Sequence, residues 1–68
     1  MKKPMETKRQ LEIITEIEKT ILENCDNPLD YDGYIENCLL FDSQAIADFY
    51  GQTVAQIKYL VTRARLRL

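Results

Sequence analysis

The chain has 68 residues, 46% hydrophobic and 29% charged, with nine Lys and Arg against eleven Asp and Glu, a formal net charge of −2, and no histidine or tryptophan. This length bounds the answer to one domain, residues 1–68, with a small core, because a chain near this size buries only about 60% of the surface that its unfolded form exposes. Self-association as a homodimer, or binding to a partner, would enlarge that core. The composition also excludes classes of function. No apolar run reaches the roughly 20 residues of a membrane-spanning helix, and no signal peptide is present, so a cytoplasmic protein is expected. Two cysteines without histidine cannot build an ordinary zinc site, and Cys25 and Cys38 read as reduced core residues. With no glycine-rich phosphate loop and no nucleophile-and-base spacing, neither an enzyme nor a cofactor is expected.

The first predicted element is a long helix over residues 5–24. Leu11, Ile13, Ile14, Ile17, Ile21 and Leu22 fall within about half of a helical wheel, while Glu12, Glu16, Lys19 and Glu23 group opposite them. The apolar arc is wider than a heptad seam, which favours a helix packed into a globular core over a coiled-coil dimer built on it alone. Glu18 falls inside the apolar arc and needs a partner. An arginine of the C-terminal helix is the expected one. The face carrying Glu12, Glu16 and Glu23 is a candidate protein-binding surface.

Residues 28–40 break and restart the chain. Asn27 and Pro28 make a good N-cap and first-turn pair, after which Leu29, Tyr31, Tyr34, Ile35, Cys38, Leu39 and Leu40 recur at near-helical spacing. Gly33 weakens this helix by about 1 kcal/mol relative to alanine, so residues 28–33 read either as helix or as an ordered loop. The acidic residues Asp26, Asp30, Asp32 and Glu36 lack calcium-loop spacing and read as a solvated face.

Residues 43–68, SQAIADFYGQTVAQIKYLVTRARLRL, carry the spacing of a helix-turn-helix followed by a basic tail. Ala47 sits where two helix axes would come closest, and Gly51 supplies the turn. Ile46, Tyr50, Ile57 and Leu60 point inward. Thr53 is the expected N-cap of the second helix, and Asp42 or Ser43 that of the first. With Ile57, Leu60, Val61, Ala64 and Leu68 facing the core, the last helix presents Lys58, Thr62 and Arg65 on one flank. Ala55, Tyr59 and Leu66 lie on its outer face, beside Gln56, Arg63 and Arg67. The fold class expected is therefore all-α, a small three- or four-helix domain with a C-terminal helix-turn-helix.

The same run resembles region 4 of bacterial sigma factors, whose pattern is roughly E-I-A-E-x-L-G-[IV]-S-x-G-T-V-K-S-R-L-x-R-A-R-x-x-L. Ile46, Ala47, Gly51, Lys58, Arg63, Ala64, Arg65 and Leu68 match identically, and Asp48, Thr53 and Ile57 match in type. The chain departs from the pattern at Gln52, where the family has an apolar residue closing the turn, and at Val54, Ala55 and Gln56, which replace residues opening the recognition helix. The resemblance implies transcription regulation, with a duplex or bacterial RNA polymerase as partner, in a bacterial or phage-infected cell.

Two readings follow. In the first, the chain is a small regulator that contacts DNA through its last helix. Gln56 would pair with adenine, Lys58 with guanine or phosphate, Tyr59 with a phosphate oxygen, and Arg63, Arg65 and Arg67 with the backbone, Thr62 lying on the same flank. In the second, it binds RNA polymerase and competes with or displaces sigma, through the acidic face and through Tyr59 and Leu66. Charge divides the chain unevenly: residues 1–40 sum to −4 and residues 41–68 to +2. The overall negative charge argues against strong nonspecific phosphate binding.

Overall fold

The structure is a computed structural model that describes residues 7–68, and among these residues every regular element is helical. Helix α1 runs over Lys8–Asn24. It starts where Thr7 closes a reciprocal cap: the Thr7 hydroxyl accepts from the Gln10 backbone N–H at 3.0 Å, and Gln10 Oε1 accepts from the Thr7 N–H at 3.1 Å. This cap satisfies donors that the first turn would otherwise leave unpaired. The expected start at Met5 is thus corrected to Lys8 for the helix proper, and Met5 and Glu6 lie outside the described residues.

The buried side of α1 is narrower than the sequence reading held. Ile13, Ile14, Ile17 and Ile21 are 3% exposed or less, whereas Leu11 and Leu22 are 46% and 52% exposed. At about 100° per residue, both leucines stand roughly 100° or more from the centre of the isoleucine stripe. A single neighbouring layer cannot cover an arc that wide.

Asn27 caps the next stretch with its side-chain oxygen on the Leu29 N–H at 2.9 Å. The chain then continues without a break through a 3-10 turn at Pro28–Asp30, helix α2 at Tyr31–Tyr34 and a π-turn at Ile35–Leu39. Residues 28–39 are therefore helical, Leu40 follows as the cap, and the ordered-loop alternative for 28–33 is set aside. The π-turn is marked by the Leu40 N–H bonding to the Ile35 carbonyl at 2.7 Å. In this wider turn each residue advances through less than the usual angle. Tyr31, Ile35 and Leu39 consequently all reach the core, and Cys38 is rotated into solvent. Cys25 keeps its expected buried place while Cys38 does not. Burial first, and then the nearby Asp30, Cys38 and Asp26, push the Cys25 thiol above its ordinary value, so it stays protonated and a poor nucleophile at neutral pH.

Helix α3 spans Ser43–Tyr50, with Asp42 as its N-cap, and helix α4 spans Val54–Leu66, with Thr53 as its N-cap. Between them Gly51 adopts φ +69° and ψ +35°, the left-handed conformation that ends α3, and its N–H reaches the Asp48 carbonyl at 3.3 Å. Thr53 and Gln56 form a second reciprocal cap at 3.0 and 2.8 Å. Thr53→Ala is expected to lower stability by about 1 kcal/mol, read as a lower urea midpoint at unchanged slope. An unchanged midpoint would mean that the cap contributes nothing.

Ile13, Ile14 and Ile21 of α1 meet Ile57, Leu60 and Val61 of α4 as the largest fully buried side chains, with Ala47 of α3 and Ala64 of α4 completely enclosed beside them. Helix α4 is the centre of the domain, packing against both α1 and α3. Ile46 and Tyr50 are half-buried at the edge of this core. Leu68, expected inside, is 37% exposed, because α4 ends at Leu66 and the chain leaves the helical path that would have returned it.

Candidate functional site

Helix α4 is the second helix of the helix-turn-helix, and its outward residues can be placed one by one. Ala55, Gln56, Lys58, Tyr59, Thr62 and Leu66 are exposed, while Arg63 and Arg65 are half-buried. The outermost stripe is Ala55, Tyr59, Thr62 and Leu66, and the cations stand on its two flanks.

Several of these side chains already have internal work. The Gln56 oxygen is held by the Thr53 N–H in the cap, whereas pairing with adenine uses both halves of the amide. The Thr62 hydroxyl donates to the Lys58 carbonyl at 2.9 Å, one turn back along α4. Arg65 donates from Nε to Asp32 at 2.8 Å and lies over the Tyr31 ring at 5.3 Å. Arg67 Nε stands 2.6 Å from Glu18. This last pair is the arginine partner expected for Glu18. It ties the end of α4 to the middle of α1, and its carboxylate is only 18% exposed, so the contact is less screened than an ordinary surface pair. Two of the three arginines expected on phosphates are therefore neutralised by acids of the same domain.

The acidic candidates separate in the same way. Glu12, Glu16 and Glu23 are all exposed on the outer side of α1. Glu12 lies 3.9 Å from Arg9, and Glu16 accepts from the Tyr50 hydroxyl at 3.1 Å. Burial first, and then that hydrogen bond and the Glu16 charge, raise the Tyr50 pKa, with Arg9 opposing. Tyr50 therefore keeps its proton and its bond to Glu16 well into alkaline solution.

Three features of this surface escaped the sequence reading. The first is a second group of cations. Gln10 Nε2 donates to Gln52 Oε1 at 3.4 Å, and the Arg9 guanidinium lies 5.7 Å from the centre of the Tyr50 ring. The start of α1, with Lys8 and Arg9, thus stands beside the helix-turn-helix turn. Counting charge over residues 1–40 hid this, because four of the five cations in that stretch fall within residues 2–9. The second is the bridge from Asp32 to Arg65, which joins residues 33 apart in the chain. The third is exposed apolar surface beyond the expected Leu66: Leu29 is 88% exposed, Phe41 83% and Phe49 78%. A groove of about 240 Å³ opens beside Phe49, floored by Ile17, Leu39, Ile46 and Val61.

Among the described residues no group of three or more Cys, Asp or Glu side chains is arranged to hold a metal ion, and no helix is long and apolar enough to cross a membrane. Of the acidic stretch from Asp26 to Glu36, Asp32 is tied to Arg65 by an ion pair. Comparison with protein-family models, with curated proteins and with solved structures finds no match to this chain.

Proposed function

We propose that this chain is a small transcription regulator that contacts duplex DNA through α4. The observation that carries the reading is the helix-turn-helix itself: α3 and α4 joined across a left-handed glycine, with Lys58, Tyr59 and Thr62 displayed on exposed turns of the second helix. A helix so held enters a major groove with side chains of its first turns toward the base edges. The contact set is smaller than residue types alone suggest. Lys58 and Tyr59 are the principal contacts, Thr62 and the Gln56 amide N–H groups are auxiliary, and Arg65 and Arg67 position α4 through Asp32 and Glu18.

The expected result is weak binding with modest salt dependence. Nonspecific duplex affinities near physiological salt fall at roughly 10⁻⁴ to 10⁻⁶ M, and each phosphate contact adds about 0.9 to the slope of log K against log salt. Titrating the protein into a fluorescent random duplex at several salt concentrations tests this directly. Lys58→Gln is expected to weaken binding and to reduce the slope by about 1. No binding at about 100 μM protein in low salt would overturn the reading.

A second reading, a protein that docks on RNA polymerase, is favoured by one specific observation, the exposed Phe49 beside the apolar groove, with Phe41 exposed as well. Aromatic anchors of this kind dominate protein interfaces. Co-elution with polymerase but not with duplex would select it.

A further inference from the structure

The cations at the start of α1 are the charged group that the helix-turn-helix reading leaves without a role. Arg9 is placed by two contacts. Its guanidinium lies 5.7 Å from the centre of the Tyr50 ring, at the last residue of α3, and Nη1 is 3.9 Å from Glu12. At 3.9 Å, with both partners more than half exposed, the Arg9–Glu12 pair is looser than the 2.8 Å Arg65–Asp32 contact and is worth little in water, so the Arg9 guanidinium can turn to an anion. Lys8 is exposed, and among the described residues it forms no ion pair. The next residue, Gln10, bonds to Gln52 in the turn that precedes the Thr53 cap. Lys8 and Arg9 therefore sit at the end of the domain where α4 begins, which is the end that meets the groove when a recognition helix is docked by its first turns. In sequence the same charge continues with Lys2 and Lys3.

The inference rests on the DNA reading of α4 and adds a second element to it. We infer that Lys8 and Arg9 form a phosphate clamp on duplex DNA: while α4 lies in the groove, they hold the backbone alongside it. The arrangement compensates for the loss of Arg65 and Arg67 to internal ion pairs. It also separates the labour of the interface, since cations on phosphates fix position and carry no sequence information, whereas α4 side chains meet base edges. The acids on the rest of α1 then have a consequence as well. Glu12, Glu16 and Glu23 repel the duplex from the remainder of that helix, so only its first turn can approach.

The test uses the full chain and the same random duplex, with the salt dependence of binding measured for the wild type, for Lys8→Gln/Arg9→Gln and for Lys58→Gln. For the first variant the expected outcome is a slope of log K against log salt lower by about 2, at 0.9 per lost contact, together with an affinity loss of about tenfold or more at low salt. Relative preference among different duplex sequences should stay unchanged. Circular dichroism with a urea titration checks that the variant remains folded, and Lys8→Gln alone, which removes no ion pair among the described residues, should show about half of the slope change. A clamp variant with wild-type slope and affinity overturns this inference while leaving the α4 reading in place. Absence of duplex binding by the wild type overturns both.

Discussion

Leu60→Ala is expected to remove a large share of the protein's stability. Leu60 is fully buried on α4 between α1 and α3, and removing its side chain forfeits the transfer free energy and leaves a cavity, together costing about 2–5 kcal/mol. At about 0.05–0.15 kcal/mol per residue, a chain of this length has a total stability of the same order, with little reserve. The measurement is a urea or thermal titration followed by circular dichroism at 222 nm. The expected curve is displaced to a much lower midpoint, and a midpoint equal to that of the wild type would refute the placement of Leu60. Leu29→Ala is the control, because Leu29 is 88% exposed and a substitution at such a surface position shifts stability by no more than about 0.5 kcal/mol.

The two glycines are expected to respond to alanine with opposite signs. At Gly51, φ is +69° and nothing lies within 4 Å of an added Cβ. The cost is therefore purely conformational, about 1–2 kcal/mol for an L-residue held in the left-handed region, and it falls on the turn that sets α3 against α4. Gly33 also has open space around an added Cβ, but it lies inside the helical stretch with no positive φ. Gly33→Ala should accordingly stabilise the chain by about 0.5–1 kcal/mol through reduced freedom in the unfolded state and better helix propensity. Equilibrium denaturation of both variants measures the difference. If Gly51→Ala proved as stable as the wild type, the left-handed turn would not be a constraint on the fold. Because the same turn orients α4, that variant should also bind duplex more weakly than its loss of stability accounts for.

Where local chemistry decides structure, the residues could be read directly. Thr53 as N-cap, Asn27 with Pro28, and Gly51 are short-range signals whose partners lie within a few positions. Each was legible because the capping atom and the group it satisfies are separated by fixed geometry. The isoleucines of α1 and the line of Ile57, Leu60, Val61 and Ala64 were legible for a similar reason, since a periodic apolar stripe must find cover. Glu18 also announced its need, because a carboxylate inside an apolar arc requires a cation, and α4 carries most of those in the second half of the chain.

What the sequence by itself determined is therefore an all-helical domain, the two caps of the helix-turn-helix, and the face by which α4 is held. Tertiary structure decided which edges of those faces reach the core and which charges remain available to a partner. Leu11 and Leu22 belong to the apolar side of α1 by sequence and to the surface by packing, because α4 covers only part of that arc. Cys38 left the core through a π-turn, a change in hydrogen-bond register that residue spacing does not announce. Arg65 and Arg67 read as phosphate ligands in isolation, yet Asp32 and Glu18 hold them, and those pairs join residues 33 and 49 positions apart. The same long-range contacts bring Lys8 and Arg9 beside the turn. Charge along a chain is fixed by its residues, but the electrostatic surface that a partner meets depends on which opposite charges folding brings within a few ångströms of one another.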